Sequence, residues 1–275
     1  MEPMSEREYV LGTGSDELER LALQNRLWSD VSTQTWRRAQ LRIGQRVLDV
    51  GCGPGYASLD ITNLVTHHGT VIGIDESQAF VDQANQMAAA RGINHFEAKV
   101  GDVQQLSKVL DGQELFDFAY ARWVLCFVPD PEAVIRGIAD ALRPGGRIAV
   151  QDYFGYGSMT LAPQRKSHDL AVAATIRAWR GHGGDPNIGE RLPALFQKHG
   201  LRLDDIRAHL RIARGGDSMF AWPNTWWRTF APKLVAMGEL QQSDCDELMD
   251  DLKKIENGDG FVQCPPVYEF LATKI

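Results

Sequence analysis

The residues best placed to do chemistry run from Asp49 to Gly55, in the order Asp49-Val50-Gly51-Cys52-Gly53-Pro54-Gly55. The apolar run at 47–50 reads as a strand that ends in a glycine-rich turn and opens a helix, where open α/β sheets hold ligands. Glycines there permit unusual backbone angles and let a ligand lie against the main chain. Helix amides beyond the turn offer hydrogen bonds to polar groups. The spacing is G-x-G-x-G, not the dinucleotide G-x-G-x-x-G, and Pro54 removes an amide where a pyrophosphate would want one. About twenty residues later Asp75, with Glu76 beside it, closes a second apolar run. A carboxylate there can accept two ribose hydroxyls, a device NAD sites also use, so Asp75 alone does not decide the ligand. Gly101-Asp102-Val103 follows a third run. Asp102 is placed to accept from an adenine amino group while the Val103 N–H donates to the ring.

Such residues need a scaffold that brings strand ends together. Short apolar runs at 47–50, 70–74, 95–100, 116–120 and 147–150 alternate with amphipathic stretches at 56–65 and 77–91. That alternation predicts a Rossmann-like α/β fold, a mostly parallel sheet covered on both faces. A further helix is legible from Asp130 as N-cap, Pro131 at the first helical position and Glu132 at the positive end of the dipole. It carries Val134, Ile138, Ala141 and Leu142 on one face and stops at Pro144-Gly145-Gly146. Residues 1–40 read as a helical leader or lid: Leu18, Leu21, Ala22 and Trp28 recur at helical spacing, and Trp36 and Ala39 continue on a shorter segment. The ligand-binding core spans 41–152. Residues 153–187 read as a helical cap insertion, and 188–275 as the rest of the sheet with a Trp-rich helical insertion at about 217–258. Within that last part, 188–199 reads as a helix, 201–213 as a sixth strand and 260–275 as a terminal strand that pairs antiparallel with the sixth, for seven in all.

In this order the motifs resemble those of class I S-adenosylmethionine-dependent methyltransferases: the loop Asp49–Gly55, the acid Asp75, the Gly101-Asp102 pair and the Leu142-Arg143-Pro144-Gly145-Gly146-Arg147 turn. The similarity is greatest to the small-molecule methyltransferases of the ubiquinone/menaquinone group. It is firm over 40–152 and weak over the insertions. It implies S-adenosylmethionine as cofactor, S-adenosylhomocysteine as product, and a cofactor site at Asp49, Gly51, Cys52, Gly53, Gly55, Asp75, Glu76, Gly101, Asp102, Val103 and Arg122. It also places 120–125 beside the methionine end and the acceptor, where Arg122 meets a carboxylate or, alternatively, a surface ion pair. Tyr9 to Gly12 resembles segments that fold over the cofactor in such enzymes.

Methyl transfer from a sulfonium is an in-line displacement with an activated donor, so positioning and exclusion of water can carry much of the catalysis. A general base helps only where the acceptor must lose a proton; the candidates are His168, His182, Asp152 and Tyr153. Tyr9, Trp123, Trp179 and Trp226 are candidate acceptor contacts. Trp179, Trp222, Trp226 and Trp227, with Met159 and Phe220, either line an apolar cavity or pack the caps onto the sheet. Arg177, Arg180 and Arg228 could add anion recognition. Cys264-Pro265-Pro266-Val267-Tyr268 is similar to the Pro-Pro-aromatic motif of amino-group methyltransferases, but lies in the terminal segment, so nucleobase amino methylation is disfavoured.

The bulk properties narrow the classes further. In 275 residues, 44% hydrophobic with a formal net charge of −7, there is material for a full core and little to suit nucleic acid. No stretch has the apolar length of a membrane span, and the N-terminal residues carry no apolar signal region. The four cysteines form no metal-site spacing and read as reduced, buried thiols. The expectation is a cytoplasmic enzyme, monomer or homodimer, that binds no metal and O- or C-methylates a small molecule. A protein or peptide methyltransferase, a non-catalytic adenosyl-ligand sensor and a nicotinamide-dependent oxidoreductase stay open as other readings.

Overall fold

A computed structural model describes residues 14–275; Tyr9 and the rest of 9–12 lie outside the described residues. The chain begins with α1 (Ser15–Arg38), followed by the alternation β1 (Arg46–Val50), α2 (Tyr56–Val65), β2 (Thr70–Asp75), α3 (Gln78–Ala90), β3 (Phe96–Val100), α4 (Leu106–Val109), β4 (Phe116–Arg122), α5 (Pro131–Ala141) and β5 (Leu142–Tyr153). Then come β6 (Thr160–Ala162), α6 (Lys166–Gly181), α7 (Leu192–Lys198), β7 (Leu201–His209), β8 (Ile212–Arg214), α8 (Ala221–Ala236), α9 (Gln242–Glu256), β9 (Phe261–Gln263) and β10 (Val267–Lys274).

The main sheet has seven strands in the order β3-β2-β1-β4-β5-β10-β7. β1 through β5 run parallel, and β10 is inserted antiparallel between β5 and β7. Val47, Leu48 and Val50 of β1 are fully buried, because helices cover both faces of the sheet and leave no polar side for alternation. Asp75 lies opposite Val100, and Val50 lies opposite both Ile74 and Ala121, so the carboxyl ends of the first four strands come level along one edge. The start of α5 is as expected: Asp130 Oδ1 accepts from the Ala133 N–H at 3.0 Å, with Pro131 opening the helix. Among the described residues no helix is long and apolar enough to cross a membrane.

Several elements depart from the sequence reading, each for a local reason. The described part of the leader is one continuous 24-residue helix rather than two segments, with no glycine or proline within it to break it. Its buried face is partly polar, with Glu17, Arg20, Gln24, Ser32 and Thr35 beside Trp28, Val31 and Trp36. The expected sixth strand is two, β7 and β8, and the terminal strand likewise divides into β9 and β10. Pro265 and Pro266 have no N–H for the ladder and interrupt it, and the partner chain breaks opposite them at 210–211. β6, absent from the sequence reading, joins β9 and β8 in a separate three-stranded sheet. Pro193 in the first turn of α7 cuts the expected 188–199 helix short. Gly238, at φ 76°, divides the Trp-rich insertion into α8 and α9. The fifth strand starts at Leu142 rather than 147, through an irregular stretch opposite Phe116 and Phe118.

Candidate active site

The turn after β1 is shaped by glycines whose replacement would strain the backbone and crowd its neighbours. Gly51 has φ +67°, and a Cβ there would lie 2.4 Å from a Val124 methyl; at Gly55, φ +81°, it would lie 2.8 Å from the Ala84 Cβ. Gly51 and Cys52 donate their amides to the Ile74 carbonyl at 2.8 and 3.0 Å. The Gly53 N–H donates to Asp75 Oδ2 at 2.8 Å and the Gly55 N–H to the Cys52 carbonyl at 3.0 Å. Position 54 is proline. Every backbone amide from Gly51 to Gly55 is therefore engaged within the protein, and the loop has none for a pyrophosphate.

Carboxylates stand at the ends of three successive strands. Asp75 also accepts the Ser77 N–H at 3.0 Å, and burial raises its carboxyl above the usual range despite both bonds. Asp49 is buried and accepts Ser58 Oγ at 2.5 Å. Burial pushes its pKa up to about 6, against the pull of Ser58 and the Arg122 charge. Asp102 holds its own turn, accepting from the Gln104 N–H and Nε2 at 2.9 and 3.1 Å. Arg122, at the end of β4, donates to Ser32 Oγ at 3.0 Å and Asn25 Oδ1 at 2.6 Å, both on α1. Those partners are neutral, so its charge is not spent in a surface ion pair.

A cavity of 520 Å³ opens along this edge, within the usual size of a ligand site. Asp49, Gly51, Cys52, Gly53, Asp75, Glu76, Asp102, Val103 and Arg122 line it. Gly55 and Gly101 do not. Gly55 shapes the turn, and Gly101 is a packing position where a Cβ would meet Val109 at 2.7 Å. At the far end the cap and the ends of β4 and β5 build an aromatic wall. Trp123 stands between Trp222 and Tyr153 with ring centroids 6.1 and 6.3 Å away, and Trp179 lies 5.8 Å beyond Tyr153. Trp226 and Met159 line the same end, whereas Trp227 and Phe220 are buried behind it, packing the cap. Both readings of the tryptophans hold, each for different rings.

The base candidates separate. His168 is fully buried, packed edge-on to Trp227 at 5.2 Å, with both ring nitrogens unpartnered; burial lowers its pKa to about 4. It does not line the cavity. Asp152 is buried off the cavity, accepting the Cys126 and Tyr153 amides at 3.2 and 2.8 Å, and burial pushes it to about 6. It secures the turn after β4 instead of facing a ligand. Tyr153 and His182 do line the cavity. Burial drives the Tyr153 phenol well up, and His182 Nδ1 sits 2.7 Å from the Ala178 carbonyl at the end of α6. Arg177 pairs with Glu239 at 2.9 Å, Arg228 bonds Asn224 at 3.1 Å, and Arg180 is exposed; none of the three lines the cavity. The four cysteines are free and buried.

Sequence reasoning missed Arg20, Gln24, Phe80 and Tyr156 on the lining. A signal existed for two of them: Glu17, Arg20, Gln24 and Trp28 follow at three- and four-residue intervals and so share one helix face.

Known proteins resemble this chain. The chain is 36% identical over 132 residues to the 2-phytyl-1,4-naphtoquinone methyltransferase of Synechococcus elongatus, covering 46% of this chain and 53% of that protein. It is 35% identical over 105 residues to the ubiquinone biosynthesis O-methyltransferase of Coxiella burnetii, covering 38% of this chain and 42% of that protein. The chain thus spans about half, or less, of the curated relatives it matches. The solved geranyl diphosphate C-methyltransferase of Streptomyces coelicolor, in complex with Mg2+, geranyl-S-thiolodiphosphate and S-adenosyl-L-homocysteine, shares the fold. Its TM-score is 0.54 at 14% identity, over 91% of this chain and 77% of that one. Residues 41–182, more than half of the chain, match the model of the family described as methyltransferase domain. That stretch holds the glycine loop and, among the described residues, all the carboxylates that line the cavity, and the chain belongs to the methyltransferase-domain family.

Proposed function

We propose that the protein transfers the methyl group of S-adenosylmethionine to a small-molecule acceptor, at oxygen or carbon. The observation that carries this reading is one continuous cavity, with strand-end carboxylates and a spent glycine loop at one end and an aromatic wall at the other. A phosphate-bearing dinucleotide needs loop amides that this turn cannot give, whereas S-adenosylmethionine has no phosphate to lose them. Asp75 and Glu76 would hold the ribose hydroxyls, Asp102 and Val103 the adenine, and Asp49 with Arg122 the amino and carboxylate groups of the methionine end. When bound, the cofactor supplies a methyl group already activated on a sulfonium. The chain's own part is to orient the acceptor and keep water out, for which Trp123, Tyr153, Trp179 and Trp226 are the walls.

One relative named as a naphtoquinone methyltransferase and another named for ubiquinone biosynthesis support a ring-bearing acceptor. The cap over the strand ends favours a small molecule over a protein side chain, because α6 and α8 wall the acceptor end. We place the enzyme in the cytoplasm, as a monomer or homodimer. Calorimetric titration with S-adenosylhomocysteine tests the cofactor site. Wild-type protein should bind, and Asp75→Ala should weaken binding roughly tenfold to a hundredfold, the worth of hydrogen bonds to a charged group. No binding by the wild type, or binding of NADH in its place, would overturn the reading.

A further inference from the structure

Gln24 of α1 lines the cavity with 9% of its surface exposed. Its side-chain oxygen receives two hydrogen bonds, from Arg20 Nη1 at 3.0 Å and from Trp222 Nε1 at 3.2 Å. A guanidinium and an indole N–H can only donate. The amide corner that meets them must therefore be the oxygen, so chemistry fixes which way the group points. Arg20 is itself held by Glu17 through two bonds of 2.7 and 2.6 Å. The other corner, Nε2, donates to no group among the described residues.

A second donor stands close by. Trp123 Nε1 is buried without a partner, its residue lines the cavity, and its ring lies 6.1 Å from that of Trp222. The Trp123 backbone is fixed in the left-handed region at φ +52°, with its N–H on the Gln151 carbonyl at 2.9 Å. A buried donor costs free energy until something accepts from it. Among the described residues the carboxylates on the lining all belong to the carboxyl ends of β1, β2 and β3, and α1 and the cap contribute none. The acceptor end therefore presents the Gln24 amide N–H over aromatic faces.

We infer that Gln24 is a specificity-determining residue: beside the Trp123 ring its amide N–H selects a flat acceptor that carries a hydrogen-bond-accepting oxygen, a carbonyl or an ionised hydroxyl. The same ring without oxygen is discriminated against because the Gln24 amide then stays unpaired. This rests on the methyltransferase reading, which defines the acceptor end. The test is calorimetry on protein saturated with S-adenosylhomocysteine, with chromone and naphthalene as probes of similar size. Chromone should bind about tenfold tighter, one hydrogen bond's worth. Gln24→Glu keeps an oxygen for Arg20 and Trp222 but accepts where the amide donated; it should abolish the preference and leave S-adenosylhomocysteine affinity unchanged. The inference is overturned if the wild type shows no preference for chromone, if the preference survives in Gln24→Glu, or if that variant loses S-adenosylhomocysteine affinity in the same proportion. Failure of the wild type to bind S-adenosylhomocysteine would instead defeat the methyltransferase reading, and this inference with it.

Discussion

At the residue scale, burial decides which titratable groups can do chemistry. His168 has no hydrogen-bond partner on either ring nitrogen and a pKa lowered to about 4 by burial. The folded state therefore resists protonation that the unfolded chain accepts near 6.5. On this group's account stability is full above 6.5 and is lost as pH falls toward 4, by about 2 kcal/mol at pH 5. His168→Leu should remove that loss, raising the urea midpoint at pH 5 much more than at pH 8. An equal change at both pH values would show that the imidazole is not the acid-sensitive group. The residues that line the strand-end side of the cavity were legible because they sit in one contiguous loop and at two strand ends. Gln24 was legible only as one position on a helix face, because its importance comes from Trp222, nearly two hundred residues away in the chain.

At the scale of elements, α1 does what no sheet strand can, bridging core and cap. Arg122 reaches it through Ser32 and Asn25, and Trp222 reaches it through Gln24. Trp28 is 1% exposed and stands edge-on to Trp123 at 5.6 Å and Trp222 at 4.9 Å. Trp28→Ala should lower stability by about 3–5 kcal/mol in urea unfolding, the cost of an emptied aromatic site. A loss below about 1 kcal/mol would mean that the helix is not clamped there. The parallel strands and the α5 cap could be read from sequence because apolar runs and capping residues act locally. The divisions of the last two strands could not, since the prolines at 265 and 266 break the partner strand as well as their own. β6 was also hidden: three residues pair only because β9 lies beside them.

At the scale of the whole molecule, one edge of the sheet and two inserted helices enclose one chamber, whose ends, proposed as donor and acceptor ends, are built by different rules. The donor end follows from the glycine loop and the strand ends that any such sheet brings level. The acceptor end is assembled from α1, the turn after β4, α6 and α8, whose meeting depends on packing between distant segments. Sequence periodicity locates those helices but not which of their rings face inward: Trp226 lines the chamber and Trp227, its neighbour, is buried in the cap. The most direct test of the account is transfer of tritium from methyl-labelled S-adenosylmethionine into an extract of the source cells, fractionated by mass and solvent, with Asp75→Ala as control. The account predicts label in a low-mass, organic-soluble compound with wild-type protein and far less with the variant. Label in protein, or none above the variant while S-adenosylhomocysteine binding is intact, would contradict it.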